Sequence, residues 1–391
     1  MRHIIAEYNF LESKMENDWD ELLVGSSSSS WNSGFYIDMQ VNNQNDKVIR
    51  QTKLYSPVKT NQYKKSLFTV ALNTSDTTGF ISRIGNFDDH NNKTALVNDV
   101  GGSGLFFEYK NNELYVGIRH GTIDNDVDIL INQADFNTGI FQKDSDLIIN
   151  GSKIHTFEIS INNRGEATWS IYNDGDKIIL HSIRDISILL NKLPTYNLPV
   201  RLEIEKVDTN AFIGNMKQYN TNTYYEYDYN IDTIERYNIK HLSPISGIKF
   251  NIDSNFYKPL FSLKLKDINI RNHISLYEIL YLVDQIGPFS YAIIINPTFN
   301  EKSPVWVNSG SSYMLEYDIS ANSIDLNNMN VIHEQYINST NSYIYDQKTA
   351  LNSNEYLPIA SNIIGESDII TIVARKMGPK FVTSYFNFRW V

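Results

Sequence analysis

The chain has 391 residues, 41% of them hydrophobic and 13% aromatic, with 25 Tyr, 19 Phe and no Cys; it can bury two cores and excludes disulfide frameworks, thiolate metal sites and cysteine nucleophiles. Its 45 acidic against 34 basic residues give a formal charge of −11, which opposes general affinity for nucleic acid or anionic membranes. No apolar run approaches the ~18 residues that span a bilayer, and residues 1–8 lack the basic and apolar regions of a secretory signal, so neither membrane insertion nor signal-directed export is expected.

Residues 1–33 read as an N-terminal arm and a serine-rich loop. Trp19, Leu22 and Leu23 are its docking candidates, and the serine run at 26–30 is expected to be a mobile loop, because it buries no apolar area. Strand-like segments follow at 34–41, 48–54, 67–72 and 79–84. The clearest pattern lies at 104–119: Leu105, Phe107 and Tyr109 alternate with Phe106, Glu108 and Lys110, then Leu114, Val116 and Ile118 with Tyr115, Gly117 and Arg119. That is the period of two expected of strands, and Asn111-Asn112 tolerates the positive φ of a tight hairpin turn.

Further strands are predicted at 127–131, 155–161, 167–172, 177–183 and 200–205, with turns at Asn163-Arg164-Gly165 and Asn173-Asp174-Gly175. Residues 218–232 are rich in Tyr, Asn, Thr and acidic side chains without an apolar period, and read as a linker. Strand patterns resume at 247–252, 259–265, 291–296, 313–319, 331–336, 368–374 and 381–390, while 276–283 fits a helical turn or a buried strand. The prediction is an all-β protein of two β-sandwich, jelly-roll-like domains, 34–217 and 233–391.

Chemistry-bearing groups are few. Asp124, Asp126 and Asp128 alternate like the start of a calcium loop, but the loop glycine and late glutamate are missing. A charged turn is the simpler reading, as it is for Asp88-Asp89-His90. His155 and His181 could share a face, yet no third ligand is evident, so no metal and no cofactor is expected. Lys64-Lys65 reads as a solvated strand end. Glu158, Glu166, Glu203 and Glu205 fall on separate strands and are expected to point to solvent.

The paired carboxylates of a glycosidase motif, Glu-x-Asp-x-x-Glu, do not occur, nor do Gly-x-Ser-x-Gly, a phosphate loop or His-Glu-x-x-His. No enzymatic activity is predicted. Trp31, Trp306 and the tyrosines Tyr224, Tyr225, Tyr227 and Tyr229 are candidates for stacking on sugars or packing on another protein, although core packing is the commoner role of such rings.

Several segments, in order, resemble a family of virion-associated proteins of tailed bacteriophages and some large DNA viruses. They are Val48-Ile-Arg-Gln-Thr-Lys-Leu-Tyr55 with Pro57 and Lys59, Arg83-Ile-Gly-Asn-Phe-Asp88, the 104–119 hairpin, Ile131-Asn-Gln-Ala-Asp-Phe-Asn137, and Leu198-Pro-Val-Arg-Leu-Glu-Ile204. Pro259-Leu-Phe-Ser-Leu-Lys-Leu-Lys266, Asn296-Pro-Thr298, Trp306, Glu316-Tyr-Asp318 and Gly365-Glu-Ser-Asp-Ile-Ile-Thr-Ile-Val-Ala-Arg375 continue the series. Thr52 and Val58 stand where that family has Ser and Gly.

The resemblance implies a non-enzymatic structural component of a virus particle, in a capsid, neck, baseplate or fibre, with a concanavalin- or laminin-G-like first sandwich. It implies other virion proteins as partners, a symmetric homo-oligomer, and a place in the virion after assembly in the host cytoplasm. The alternative is a carbohydrate-binding module for host-surface glycans. Its contacts would come from Trp31, Asp124, Asp126, Asp128, Tyr224, Tyr225 and Tyr227.

Overall fold

The computed structural model describes residues 2–11, 13–16, 18–33, 35–58, 62–73, 78–88, 102–121, 126–138, 149–162, 165–184, 197–209, 212–227, 240–241, 248–266, 274–283, 287–300, 303–308, 314–327, 329–338, 344–345, 357–363, 366–380 and 382–390. The chain divides into two units, Met1–Thr233 and Ile234–Val391. Each has its own apolar core.

The first unit contains β1 (Arg2–Asn9), β2 (Trp19–Val24), β3 (Ser28–Asn32), β4 (Tyr36–Val41), β5 (Lys47–Thr52), β6 (Gln62–Ala71), β7 (Phe80–Phe87) and β8 (Ser103–Lys110). There follow β9 (Glu113–Gly121), β10 (Asp126–Asn132), β11 (His155–Asn162), β12 (Ala167–Asn173), β13 (Asp176–Ile183), β14 (Val200–Lys206) and β15 (Gly214–Tyr227). One antiparallel sheet runs β13-β12-β11-β6-β15-β4-β3, with β1 also on β15; the second runs β10-β9-β8-β7-β14-β5-β2. Phe68, Val70, Phe157 and Ile159 of the first sheet and Leu105, Phe107, Leu202 and Ile204 of the second meet in one cluster, each 1% exposed or less. Burying a side chain of this size contributes about 1.5–3 kcal/mol.

The hairpins follow the predicted chemistry. Lys110 pairs with Glu113, and Asn111 and Asn112 take φ of 52° and 63°. Asn173 pairs with Asp176 across Asp174 and Gly175, at φ of 51° and 91°. Asn163 and Arg164 lie outside the described residues.

The second unit contains β16 (Lys240–His241), β17 (Lys249–Ile252), β18 (Lys258–Leu265), β19 (Ile274–Val283), β20 (Pro288–Ile295) and β21 (Val307–Asn308). It continues with β22 (Leu315–Asp318), β23 (Asn330–Asn338), β24 (Ile344–Tyr345), β25 (Leu357–Ile359), β26 (Ile370–Lys376) and β27 (Val382–Trp390). One sheet runs β16-β27-β19-β24 with β17 and β25 attached, the other β21-β22-β18-β26-β20-β23. Phe250, Ile252 and Val382 of the first pack with Leu263, Phe289, Tyr291 and Ile372 of the second, again as a sandwich. Among the described residues the sole helical element is a single turn, Gln133–Asp135. The segment predicted as helical turn or strand is β19.

Three expectations are corrected. Residues 1–33 are no arm: β1 pairs with β15, β2 with β5 and β3 with β4. Trp19 is 3% exposed and meets Tyr8 edge-on, with ring centroids 5.3 Å apart. The serine run is a turn and an edge strand, because its hydroxyls find fixed partners. Ser26 Oγ donates to Asp46, Ser27 Oγ to the Lys47 carbonyl and Ser29 Oγ to Glu21.

The supposed linker 218–232 is in large part β15, which lies between β6 on one side and β4 and β1 on the other. Flanked on both sides, it pairs several of its polar side chains within the sheet: Gln218 Nε2 donates to Thr221 Oγ1 at 3.1 Å, and Thr223 Oγ1 lies 3.2 Å from Ser66 Oγ. The boundary therefore falls after Thr233. Residues 228–232 lie outside the described residues.

Lys64 is the third correction. It shares the inward parity of Phe68 and Val70 on β6 and is 1% exposed. Its Nζ donates to the carbonyls of Ser56 at 2.6 Å and Leu198 at 2.9 Å.

Candidate functional site

On the face of the seven-stranded sheet turned away from the core, antiparallel register puts Arg83 of β7 directly opposite both Glu203 of β14 and Glu108 of β8. Arg83 Nε donates to Glu108 at 2.7 Å and its NH1 to Glu203 at 3.4 Å. Arg201 Nε reaches Glu203 at 2.6 Å while its NH1 holds Gln51 at 2.9 Å. Lys47 Nζ lies 3.4 Å from Glu203. Burial alone would raise the Glu203 carboxyl, but Arg201, Lys47, Arg119 and Arg83 outweigh it and hold it well below the ordinary carboxylate range.

This geometry decides what the pair of carboxylates can do. Glycoside hydrolysis needs one carboxyl that keeps its proton near neutrality and an open gap beside the other. Here an arginine fills the gap, and Glu108 and Glu203 are each 1% exposed. The cluster is an internal ion-pair network, in which removing one partner typically costs about 3–5 kcal/mol. Glu158, also expected in solvent, is 1% exposed and accepts from Tyr172 OH at 2.8 Å and from Lys177.

The other sequence candidates scatter. Asp128 lies on β10 opposite Arg119, which grips it through Nε at 2.9 Å and NH2 at 3.0 Å, so it is part of a strand rather than a calcium loop. Asp126 is on the same strand with its side chain outside the described residues, as is all of Asp124. Among the described residues no group of three His, Asp or Glu has metal-binding geometry. Tyr224 and Tyr225 are buried in β15 at 7% and 3% exposure, Tyr225 OH donating to the Pro57 carbonyl at 2.6 Å. Tyr227 ends that strand, and its side chain lies outside the described residues, with all of Tyr229.

Trp31 is anchored by its Nε1, which donates to the Phe10 carbonyl at 2.8 Å, leaving the ring 38% exposed. His155 and His181 have separate partners, the Asn150 carbonyl and the Asn137 N–H. Trp306 stacks under Lys264 Nζ, 5.1 Å from the ring centroid.

A polar constellation that reaches the surface appears in the second unit. On β20, Phe289, Tyr291 and Ile293 point into the core, so Ser290 points outward. Register places Ser290 between Arg375 of β26 and Tyr336 of β23. Tyr257, just before β18, lies over this row: its OH is 2.5 Å from Ser290 Oγ and donates to Glu334, and the Arg375 guanidinium sits 4.7 Å from its ring centroid. Arg375 NH2 donates to Glu334 at 3.4 Å.

Hydrogen bonding from Tyr257, against a smaller opposing effect of burial, lowers the Glu334 carboxyl, with Tyr336, Ser290 and Arg375 adding to it. Burial and that same hydrogen bond raise the Tyr257 phenol. Tyr336 is 59% exposed. An ionised carboxylate and a guanidinium are thus fixed beside two tyrosines, above Ser290, which is fully buried. Sequence reasoning gave none of these five residues a functional role: Glu334 and Tyr336 entered only within the strand pattern 331–336, and Arg375 only as the end of a resemblance segment.

No family model matches the chain, and no curated protein matches it. Among solved structures, the carbohydrate recognition domain of Emp47p is matched at 14% identity and a TM-score of 0.37, over 55% of this chain and 92% of its own. Lectin I-B4 from Griffonia simplicifolia is matched at 15% identity and a TM-score of 0.32, over 56% of this chain and 99% of its own. The endo-1,3-beta-glucanase from Streptomyces sioyaensis is matched at 9% identity and a TM-score of 0.40, over 58% of this chain and 97% of its own. Likeness this remote carries no function, and what those proteins bind or cleave is a fact about them. Nothing in these comparisons indicates a viral family.

Proposed function

We infer that the protein is a glycan-binding protein, and that Tyr257, Glu334, Tyr336 and Arg375 form its contact surface, with the buried Ser290 holding Tyr257 and Glu334 from beneath. The observation that carries the reading is the convergence of two tyrosines and a mutually fixed Glu334–Arg375 pair at the surface, above a buried Ser290. Sugars present apolar C–H faces and dense hydroxyls. An exposed tyrosine ring packs on the first, and a carboxylate beside a guanidinium accepts from and donates to the second. Because the polar groups already hold one another, little side-chain entropy is lost on binding.

The pair is charge-balanced, so the ligand class is neutral rather than strongly anionic oligosaccharide. Binding occurs without turnover, since the carboxylate is held ionised and no second carboxyl stands across from it among the five. The virion role implied by the ordered motifs rests on those motifs alone, and no structural observation adds to it.

Glycan-array screening followed by calorimetry on the best neutral oligosaccharide tests the reading. Tyr336→Ala is expected to weaken binding at least about tenfold, or ~1.4 kcal/mol, with folding unchanged because the ring is mostly in solvent. Absence of any array signal, or affinity indifferent to Tyr336→Ala, would refute it.

A further inference from the structure

Two dipeptides of the first unit share a chemical liability. In Asn-Gly and Asp-Gly the glycine nitrogen can attack the side-chain Cγ of the residue before it, because glycine has no side chain to obstruct the approach. Asn150-Gly151 and Asp174-Gly175 are the single instances of each in the chain. At neutral pH ammonia leaves such an adduct more readily than water, so in an unfolded chain Asn150 reacts first. The fold holds the two very differently. Asn150 Oδ1 accepts from Ser152 N at 2.9 Å and from Ser152 Oγ at 2.7 Å, which pins the side chain. Gly151 is buried, its N–H donates to Tyr109 OH at 3.1 Å, and its carbonyl accepts from Asn73 N at 2.9 Å. A Cβ at Gly151 would stand 2.4 Å from the Tyr109 ring, so this peptide has no room to turn.

Asp174 and Gly175 are the opposite case. They form the two-residue turn between β12 and β13, with Asn173 paired to Asp176, and all four residues are exposed. A Cβ at Gly175 would meet no heavy atom within 4 Å. Among the described residues the Asp174 carboxyl has no hydrogen-bond or ion-pair partner, and the Gly175 N–H has no acceptor.

We propose that Asp174 is a site of spontaneous isomerisation to isoaspartate, and that the change loosens the hold of β13 on Glu158. Gly175 N bonds to Cγ of the protonated Asp174 carboxyl, whose hydroxyl leaves with the Gly175 N–H proton as water, closing a succinimide ring. Water then adds at the carbon that was the Asp174 backbone carbonyl, and the bond from that carbon to Gly175 N breaks. That carbon becomes the free carboxyl, the chain runs on through Cβ and Cγ, and the net formula is unchanged. The turn now holds one more backbone atom than a two-residue hairpin accommodates. Tyr172 and Lys177 pair just beyond it, and both donate to Glu158, which is 1% exposed. A carboxylate so deeply buried loses stability when a donor withdraws. The inference concerns the first unit and is independent of glycan binding.

The test ages the full chain at physiological temperature and neutral pH, folded and in parallel unfolded in guanidinium chloride, and maps its peptides by electron-transfer mass spectrometry. Isoaspartate is read from its diagnostic backbone fragments, and deamidation from the mass gained when an amide becomes an acid. In the folded chain isoaspartate should accumulate at Asp174 while Asn150 stays intact; in the unfolded chain Asn150 should change first. The aged folded chain should also unfold at a lower urea concentration than fresh protein. Asp174→Glu, whose longer side chain would have to close a larger ring, should keep both its peptide map and its urea midpoint on ageing. Asp174 left unchanged in the folded chain, or Asn150 lost there as fast as Asp174, overturns the assignment of the site. Isoaspartate at Asp174 with an unmoved midpoint overturns the coupling to Glu158.

Discussion

Lys64 lies between its cross-strand neighbours Ile161 and Tyr225, with two backbone carbonyls as its hydrogen-bond partners. Burial drives its pKa down from 10.5 to about 7. The unfolded chain therefore binds more protons than the folded one between about pH 7 and 10.5, and stability rises with pH through that window. Denaturant unfolding should show the wild type gaining about 1 kcal/mol per pH unit there, and Lys64→Met should flatten the slope. An unchanged slope in the variant would assign the effect elsewhere. In sequence, Lys64-Lys65 looks like any exposed basic pair, because inward or outward parity on β6 depends on which face its neighbours bury. The constellation behind the proposed glycan surface was hidden for a related reason: Tyr257, Ser290, Glu334 and Arg375 are far apart in the chain and meet through the register of β20, β23 and β26.

Elements with strong local signals were legible. The β8–β9 hairpin formed as read, since alternation and an Asn-Asn turn suffice to specify it. Its Gly117 carries a constraint invisible locally: a Cβ there would stand 2.3 Å from the Phe106 ring, which is fully buried. Gly117→Ala is expected to destabilise the first unit by about 1–3 kcal/mol through overpacking, and adding Phe106→Leu should return part of it in urea titrations. β3 and β15 were misread because Ser, Thr, Asn and Tyr give no apolar period, yet those residues serve well in a ladder where hydroxyls and amides have fixed partners.

For the molecule as a whole, the placement of the boundary has a direct consequence. A fragment ending at Thr233 keeps β15 entire, whereas one ending at Lys217 loses the stretch that pairs with β6 and β1. The first should unfold cooperatively by circular dichroism and calorimetry. The second should lack a cooperative transition, because the middle of its larger sheet is gone. Equal behaviour of the two would restore the linker reading of residues 218–232.

Composition, alternation and turn residues are properties of neighbours along the chain, and from them came the all-β class, the two sandwiches and most strand positions. Pairing partners, inward or outward parity and the gathering of distant polar groups depend on how sheets close, where a shift of one residue reverses every side chain. That is why Glu108 and Glu203 became partners of one arginine instead of solvent-facing acids. It is also why the surface proposed to face a ligand lies on the second unit, where the order of residues alone had drawn attention to the first.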